Sequence, residues 1–298
     1  MITKNLLRYS EKWVPGGTPG VYVSRLMSAE GVVADLSHQP WVASATITNE
    51  YLTVIVTPAA LAQVAVDVVR AGGQCISSNA LRASIVPARP PADLPNAPDW
   101  AYARDALAAE LTASLAVAAG ATLGPLEHWH ALGGSTTERS SEKKVVADAI
   151  AYAGLDAVRF ALARTPQGGA APDPEQIARH VPGNPAYAVR YAHAAAAAVL
   201  RWADKQPGEF RPGLLAEPGE LALDELTLLD ALSWLPERVA MAARRGRPDQ
   251  FARYLETLAS RTIDTMSTTA PRPWLAEAAR TGLAAGLGLL GITAPSRI

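Results

Sequence analysis

The sequence predicts an α+β protein: a small N-terminal α/β domain over residues 1–75, a connector with one helix over 76–140 and a mainly α-helical bundle over 141–298. Three observations carry this prediction. Strand-like alternation is confined to the part before Pro58, five prolines crowd residues 87–98, and nearly everything after residue 141 repeats at helical spacing. With 298 residues and 49% hydrophobic content, the chain can bury a core of that extent.

In the first part, the β-rich runs Ala45 to Thr48 and Thr53 to Val56 flank Asn49-Glu50 and read as a hairpin. Pro58 then opens an Ala/Val-rich helix through Arg70, stopped at Gly72-Gly73. Prolines 87, 90, 91, 95 and 98 oppose helix, so residues 76–98 read as an extended connector. Asp99 caps a helix that runs to Ala119, with Leu107, Leu111 and Leu115 on one face and Gly120 placed to end it. The polar run Gly133 to Thr137 separates this helix from the bundle.

Bundle helices are predicted over 143–152, 156–164, 185–203 behind the Asn184-Pro185 cap, and 224–234, the last continuing past Pro236 to Arg245. Another helix begins at Pro248-Asp249 and carries the stripe Phe251, Tyr254, Leu255 and Leu258. The final helix, 274–290, buries Leu275, Leu283, Leu287 and Leu290, and its Gly282 and Gly286 mark a place where another backbone approaches closely. Short connections favour antiparallel neighbours.

Composition narrows the function. The 27 Lys+Arg nearly cancel the 28 Asp+Glu, so RNA binding must come from a local patch rather than a global field, and neither DNA nor a membrane surface is an expected partner. One cysteine excludes an intrachain disulfide framework, no signal-type segment opens the chain, and the expected location is cytoplasmic. Cys75 is isolated, and His128 and His130 flank Trp129 without acidic or cysteine company, so no metal site is expected. No nucleophile elbow or phosphate-cradling loop is present, and no cofactor is expected.

The segment Asn184-Pro185-Ala186-Tyr187-Ala188-Val189-Arg190-Tyr191-Ala192-His193-Ala194 is similar to the start of the anticodon-binding domain of arginyl-tRNA synthetases, and Asp156-Ala157-Val158-Arg159 resembles the Asp-Ala-x-Arg that names that domain. Phe251 to Leu255 and Gly286 to Ile298 resemble further family segments in the right order, and Gly20-Val21-Tyr22 is similar to the family's additional N-terminal domain. The resemblance implies a bundle of the class I synthetase anticodon-binding type.

It also marks what is missing. Asp99-Trp100-Ala101-Tyr102 stands near the family's first signature without its histidines or glycine, and Thr137 to Lys144, with Glu138 and Glu142, stands where a basic phosphate-gripping loop is expected. The interval from Gly120 to Thr137 is too short for the rest of a nucleotide-binding sheet, since one βαβ unit needs about 30 residues. No catalytic residue is assigned, and amino-acid activation is not expected.

The resemblance instead implies a non-catalytic protein that binds tRNA or aminoacyl-tRNA. The candidate contacts are Tyr187, Arg190, Tyr191 and His193 on one helix, with Arg244, Arg245, Arg247 and Arg253 as a basic patch alongside Arg238 and Arg261. The bland reading pairs Arg238 with Glu237, and Arg253 with Glu256 and Asp249. Ala195 replaces a family arginine, and Thr262 to Ser267 replaces an aromatic patch. A scaffold that pairs with a synthetase, or with an enzyme using aminoacyl-tRNA, is the alternative; residual arginine-tRNA ligase activity is the third reading.

Overall fold

The structure, a computed structural model, describes residues 2, 6, 9, 13–25, 31–126, 145–203, 221–268 and 270–298. The first elements are β1 (Val14–Pro15), β2 (Val21–Arg25), α1 (Val32–Ser37), β3 (Val42–Thr48), β4 (Tyr51–Val56) and α2 (Pro58–Ala71). Next come β5 (Ile85–Ala88), α3 (Trp100–Ala118) and β6 (Thr122–Leu126). The helical part comprises α4 (Val145–Ala153), α5 (Leu155–Arg164), α6 (Pro174–Ile177), α7 (Pro185–Ala203), α8 (Leu223–Ser233), α9 (Leu235–Arg245), α10 (Pro248–Met266) and α11 (Pro273–Leu289). This is the expected α+β class, a small antiparallel sheet followed by a helical region.

The chain forms two compact units. One consists of Met1–Cys75, Ala195–Leu235 and Arg261–Gly282; the other consists of Ile76–Ala194, Pro236–Ser260 and Leu283–Ile298.

In the first unit the strands run antiparallel in the order β1-β2-β4-β3. The hairpin turn places Asn49 at φ 50° and Glu50 at φ 67°, the two left-handed positions of a type I′ turn. Thr57 caps α2 by accepting from the Ala60 amide at 3.2 Å, and Leu61, Val64 and Val68 bury its inner face. Tyr22 is fully buried on β2, stacked on Trp234 at 5.2 Å, with its hydroxyl hydrogen-bonded to Ser233 Oγ at 2.9 Å. The Gly20 amide donates to Asp230 at 3.1 Å, so the Gly20 to Tyr22 segment seats the sheet on α8.

The second unit corrects the expectation of an extended connector. Strands β5 and β6 pair in parallel on either side of α3, making a βαβ unit. Asp99 caps α3 by accepting from the Tyr102 amide at 2.7 Å, and Leu107, Leu111 and Leu115 are fully buried as the periodicity predicts. Gly286 lies so close to Leu255 that an added Cβ would meet its Cδ2 at 2.4 Å; what packs on this glycine is a leucine side chain, where the sequence suggested a neighbouring backbone.

Candidate functional site

The segment Asp156-Ala157-Val158-Arg159 is a clamp. Gly154, at φ 87°, starts α5, and Asp156 and Arg159 project from its first turns. Arg159 pairs with Glu110 on α3 and donates through Nε to the Leu290 carbonyl at 2.6 Å. Thr293 donates its hydroxyl to Asp156, which also lies 3.6 Å from Arg190. Gly291, at φ 69°, leaves room for the guanidinium: an added Cβ would meet Arg159 Nε at 2.7 Å. The segment following α11 is thus held by charge-assisted hydrogen bonds.

This clamp decides the fate of His193. The side chain is 3% exposed, and its Nδ1–H donates to the Pro295 carbonyl at 2.8 Å. Base stacking by His193 is therefore excluded; the imidazole holds the same segment that Arg159 holds. Arg190 likewise turns toward Asp156 instead of standing free.

The two tyrosines behave differently. Helix α7 buries Ala186, Val189, Ala192, Ala196 and Ala197, which leaves Tyr187 half-buried and Tyr191 41% exposed. Their rings stack at 5.6 Å with 16° between planes, and the exposed His180 ring stacks on Tyr187 at 5.4 Å and 14°. Asn184 builds the arrangement. Its buried amide donates to the Ile177 and Arg179 carbonyls at 2.7 Å each, and its oxygen accepts from the Ala186 amide at 3.1 Å. The Asn-Pro cap therefore starts the helix and also folds the preceding loop so that His180 joins the tyrosines. Three nearly parallel rings in series form a surface that can take an unpaired base.

Two of the four arginines of the basic patch are ion-paired in place. Arg247 forks onto Asp249 at 2.7 and 2.8 Å, a bond that raises the guanidinium pKa, and Arg244 lies 3.6 Å from Glu237. Burial raises the Glu237 pKa, opposed by the charges of Arg244 and Arg238. Arg245 donates to the Gln250 side chain at 3.2 Å. Glu256 is engaged by Arg164. The pairings anticipated from sequence are corrected accordingly: Asp249 and Glu256 go to other arginines, and Arg253 is exposed and takes part in no ion pair among the described residues. Arg238 places its guanidinium carbon 5.1 Å from the Tyr254 ring centroid.

Thr262 and Thr265, which stand where an aromatic patch is expected, are buried and offer no surface. Thr265 donates to the Arg261 carbonyl at 2.9 Å. His128, His130, Lys143 and Lys144 lie outside the described residues. Among those described, no group of three or more His, Cys, Asp or Glu could hold a metal ion, and no helix is long and apolar enough to cross a membrane.

Residues that sequence reasoning missed are His180, Arg238 as a stacking group, and Tyr254 as its partner. A histidine four positions before an Asn-Pro cap was the available signal for the first.

Comparison with known proteins gives this geometry a context. Residues 189–298 match the DALR anticodon binding domain. The arginine–tRNA ligase of Micrococcus luteus is 32% identical over 191 residues, covering 56% of this chain and 33% of that protein. That of Kineococcus radiotolerans is 34% identical over 185 residues, covering 54% and 32%. Among solved structures, the arginyl-tRNA synthetase of Thermus thermophilus aligns with a TM-score of 0.41 at 22% identity, over 66% of this chain and 38% of that one. The chain spans about a third of the length of the curated relatives it matches. Its C-terminal part is thus similar to arginyl-tRNA synthetases, with the DALR match confined to residues 189–298.

Proposed function

We propose that this protein binds tRNA, free or aminoacylated, without activating an amino acid, and that the His180, Tyr187 and Tyr191 stack receives an unpaired base. The observation that carries the proposal is this ring series, exposed at His180 and Tyr191, which leads into the segment 189–298 matching an anticodon binding domain. Every base has a π-face, so such a surface binds single-stranded loops with little demand on sequence. Phosphate contacts add a salt-dependent attraction that a net charge of -1 leaves to local arginines.

The non-catalytic part of the reading has its own support. Asp99 is spent on capping α3, at the position where the resemblance calls for a phosphate-stabilising signature, and a carboxylate there opposes the charge that develops on a nucleotide during activation.

Binding of a labelled tRNA, followed by fluorescence anisotropy, tests the proposal. Replacing Tyr191 by alanine is expected to weaken binding on the order of tenfold, the scale of one lost stacking contact. Its thermal stability should hardly move, because Tyr191 stands on the exposed face of α7. His193→Ala is the contrasting variant: it should destabilise the fold, and its binding should return to the native value at temperatures where it remains folded. Unchanged affinity in the Tyr191 variant would remove the ring stack from the interface. Purification with one stoichiometric protein and no RNA would favour the scaffold reading instead.

A further inference from the structure

We infer that Arg179 supplies the phosphate contact of the ring stack, so that the site takes single-stranded RNA by two kinds of contact: a base on the exposed rings and a backbone phosphate on Arg179. The inference rests on the tRNA-binding reading and deepens it, adding a residue that the family resemblance does not mark and placing the strand's backbone at one end of the stack.

The two ends of the ring series differ in charge. Tyr187 is half-buried and stacked against both of the other rings, so the open ring surface is that of His180 at one end and Tyr191 at the other. Each end ring directly follows an arginine in the chain. Arg190, before Tyr191, faces Asp156 at 3.6 Å, so a carboxylate opposes its charge. Arg179, before His180, is exposed, and its side chain makes no hydrogen bond, ion pair or ring contact among the described residues. Asp173 and Glu175, the acidic residues nearest to it in the chain, make no ion pair with it. Of the two arginines, Arg179 is the one whose charge stands uncompensated.

The group that builds the stack also fixes Arg179. The Asn184 side chain donates to the Arg179 carbonyl at 2.7 Å, and the Arg179 amide donates to the Gln176 carbonyl at 3.3 Å. The backbone is thus held on both sides of the residue, and its α-carbon lies about 3.8 Å from that of His180, as in any trans-linked pair. One nucleotide can therefore meet both groups: the arginine side chain is long, and a phosphate is joined to its base through a single sugar. The guanidinium offers a fork of donors that matches phosphate oxygens. An acidic peptide would use this charge without using the rings, and that difference can be measured.

The probe is a fluorescein-labelled, unstructured single-stranded RNA of about twelve nucleotides, titrated at pH 8 against the full chain over a range of salt. Inorganic polyphosphate and a polyglutamate peptide serve as base-free competitors, and a labelled tRNA is titrated in parallel. Arg179→Ala is expected to lower the slope of log affinity against log salt by about 0.7, one single-strand phosphate contact, and Arg179→Lys, which keeps the charge, to restore it. His180→Ala is expected to weaken RNA binding on the order of tenfold with the slope unchanged, since the stacking contact carries no phosphate. Both side chains are exposed, and thermal melting establishes that each variant is folded.

An unchanged slope in Arg179→Ala would overturn the phosphate assignment. Base-free competitors that bind as tightly as RNA, together with full RNA affinity in His180→Ala, would overturn the two-part site and leave a surface that reads charge alone. If tRNA binds and Tyr191→Ala weakens it while Arg179→Ala leaves the slope unchanged, the Arg179 proposal fails and the tRNA reading stands. If tRNA does not bind but the short RNA does, with both variant effects, the tRNA reading fails and the two-part site stands. If neither RNA binds, both fall.

Discussion

Glu50 occupies a left-handed turn position, at φ 67°, that costs an L-residue about 1 kcal/mol relative to glycine. Its ion pair with Arg25 at 2.9 Å offsets little of this, since both side chains are about two-thirds exposed and such pairs are worth ~0–1 kcal/mol. Glu50→Gly should therefore raise the unfolding free energy by about 0.5–1 kcal/mol, read from denaturant midpoints at constant slope; a lower midpoint would show that the ion pair outweighs the backbone. The hairpin itself was legible in the sequence because two β-rich runs flank a two-residue break. His193 was less legible. On a helix the difference between a stacking imidazole and a buried anchor is a rotation of one position, and what fixes it is the Pro295 carbonyl, about a hundred residues away.

Among the elements, helix placement in the bundle followed from caps and apolar spacing, as with the Asp99 cap of α3 and the leucine stripe of α11. The short parallel strands did not. β5 contains Pro87, and β6 contains Gly124 and Pro125, residues that weaken any strand signal, and their pairing depends on the crossover through α3. The clamp on α5 shows the same limit in a different form: Asp156 and Arg159 were recognisable as a motif, yet their partners Thr293, Leu290 and Glu110 come from distant segments. Arg159→Ala leaves the largely buried Glu110 without its ion-pair partner and releases the Leu290 carbonyl. A loss of about 3 kcal/mol or more is expected on equilibrium unfolding, whereas a loss below about 1 kcal/mol would mean that the clamp is incidental.

At the scale of the whole molecule, what sequence could convey was the resemblance of the C-terminal part to a known family; what it could not convey was which charges remain available. A net charge of -1 concealed that Arg244 and Arg247 are already paired while Arg253 takes part in no ion pair among the described residues. The near-neutral protein proposed here should bind RNA through a few contacts, weakly dependent on salt compared with a strongly basic binder. It should also fail to exchange pyrophosphate into ATP in the presence of arginine, and arginine-dependent exchange would restore the ligase reading.

The most direct measurement is equilibrium binding of the native chain to a panel of deacylated tRNAs, arginine isoacceptors included, at about 50 mM and about 200 mM salt. Saturable binding that weakens at the higher salt, and that is impaired by Tyr191→Ala, is the predicted result. No association with any tRNA at either salt would contradict the account.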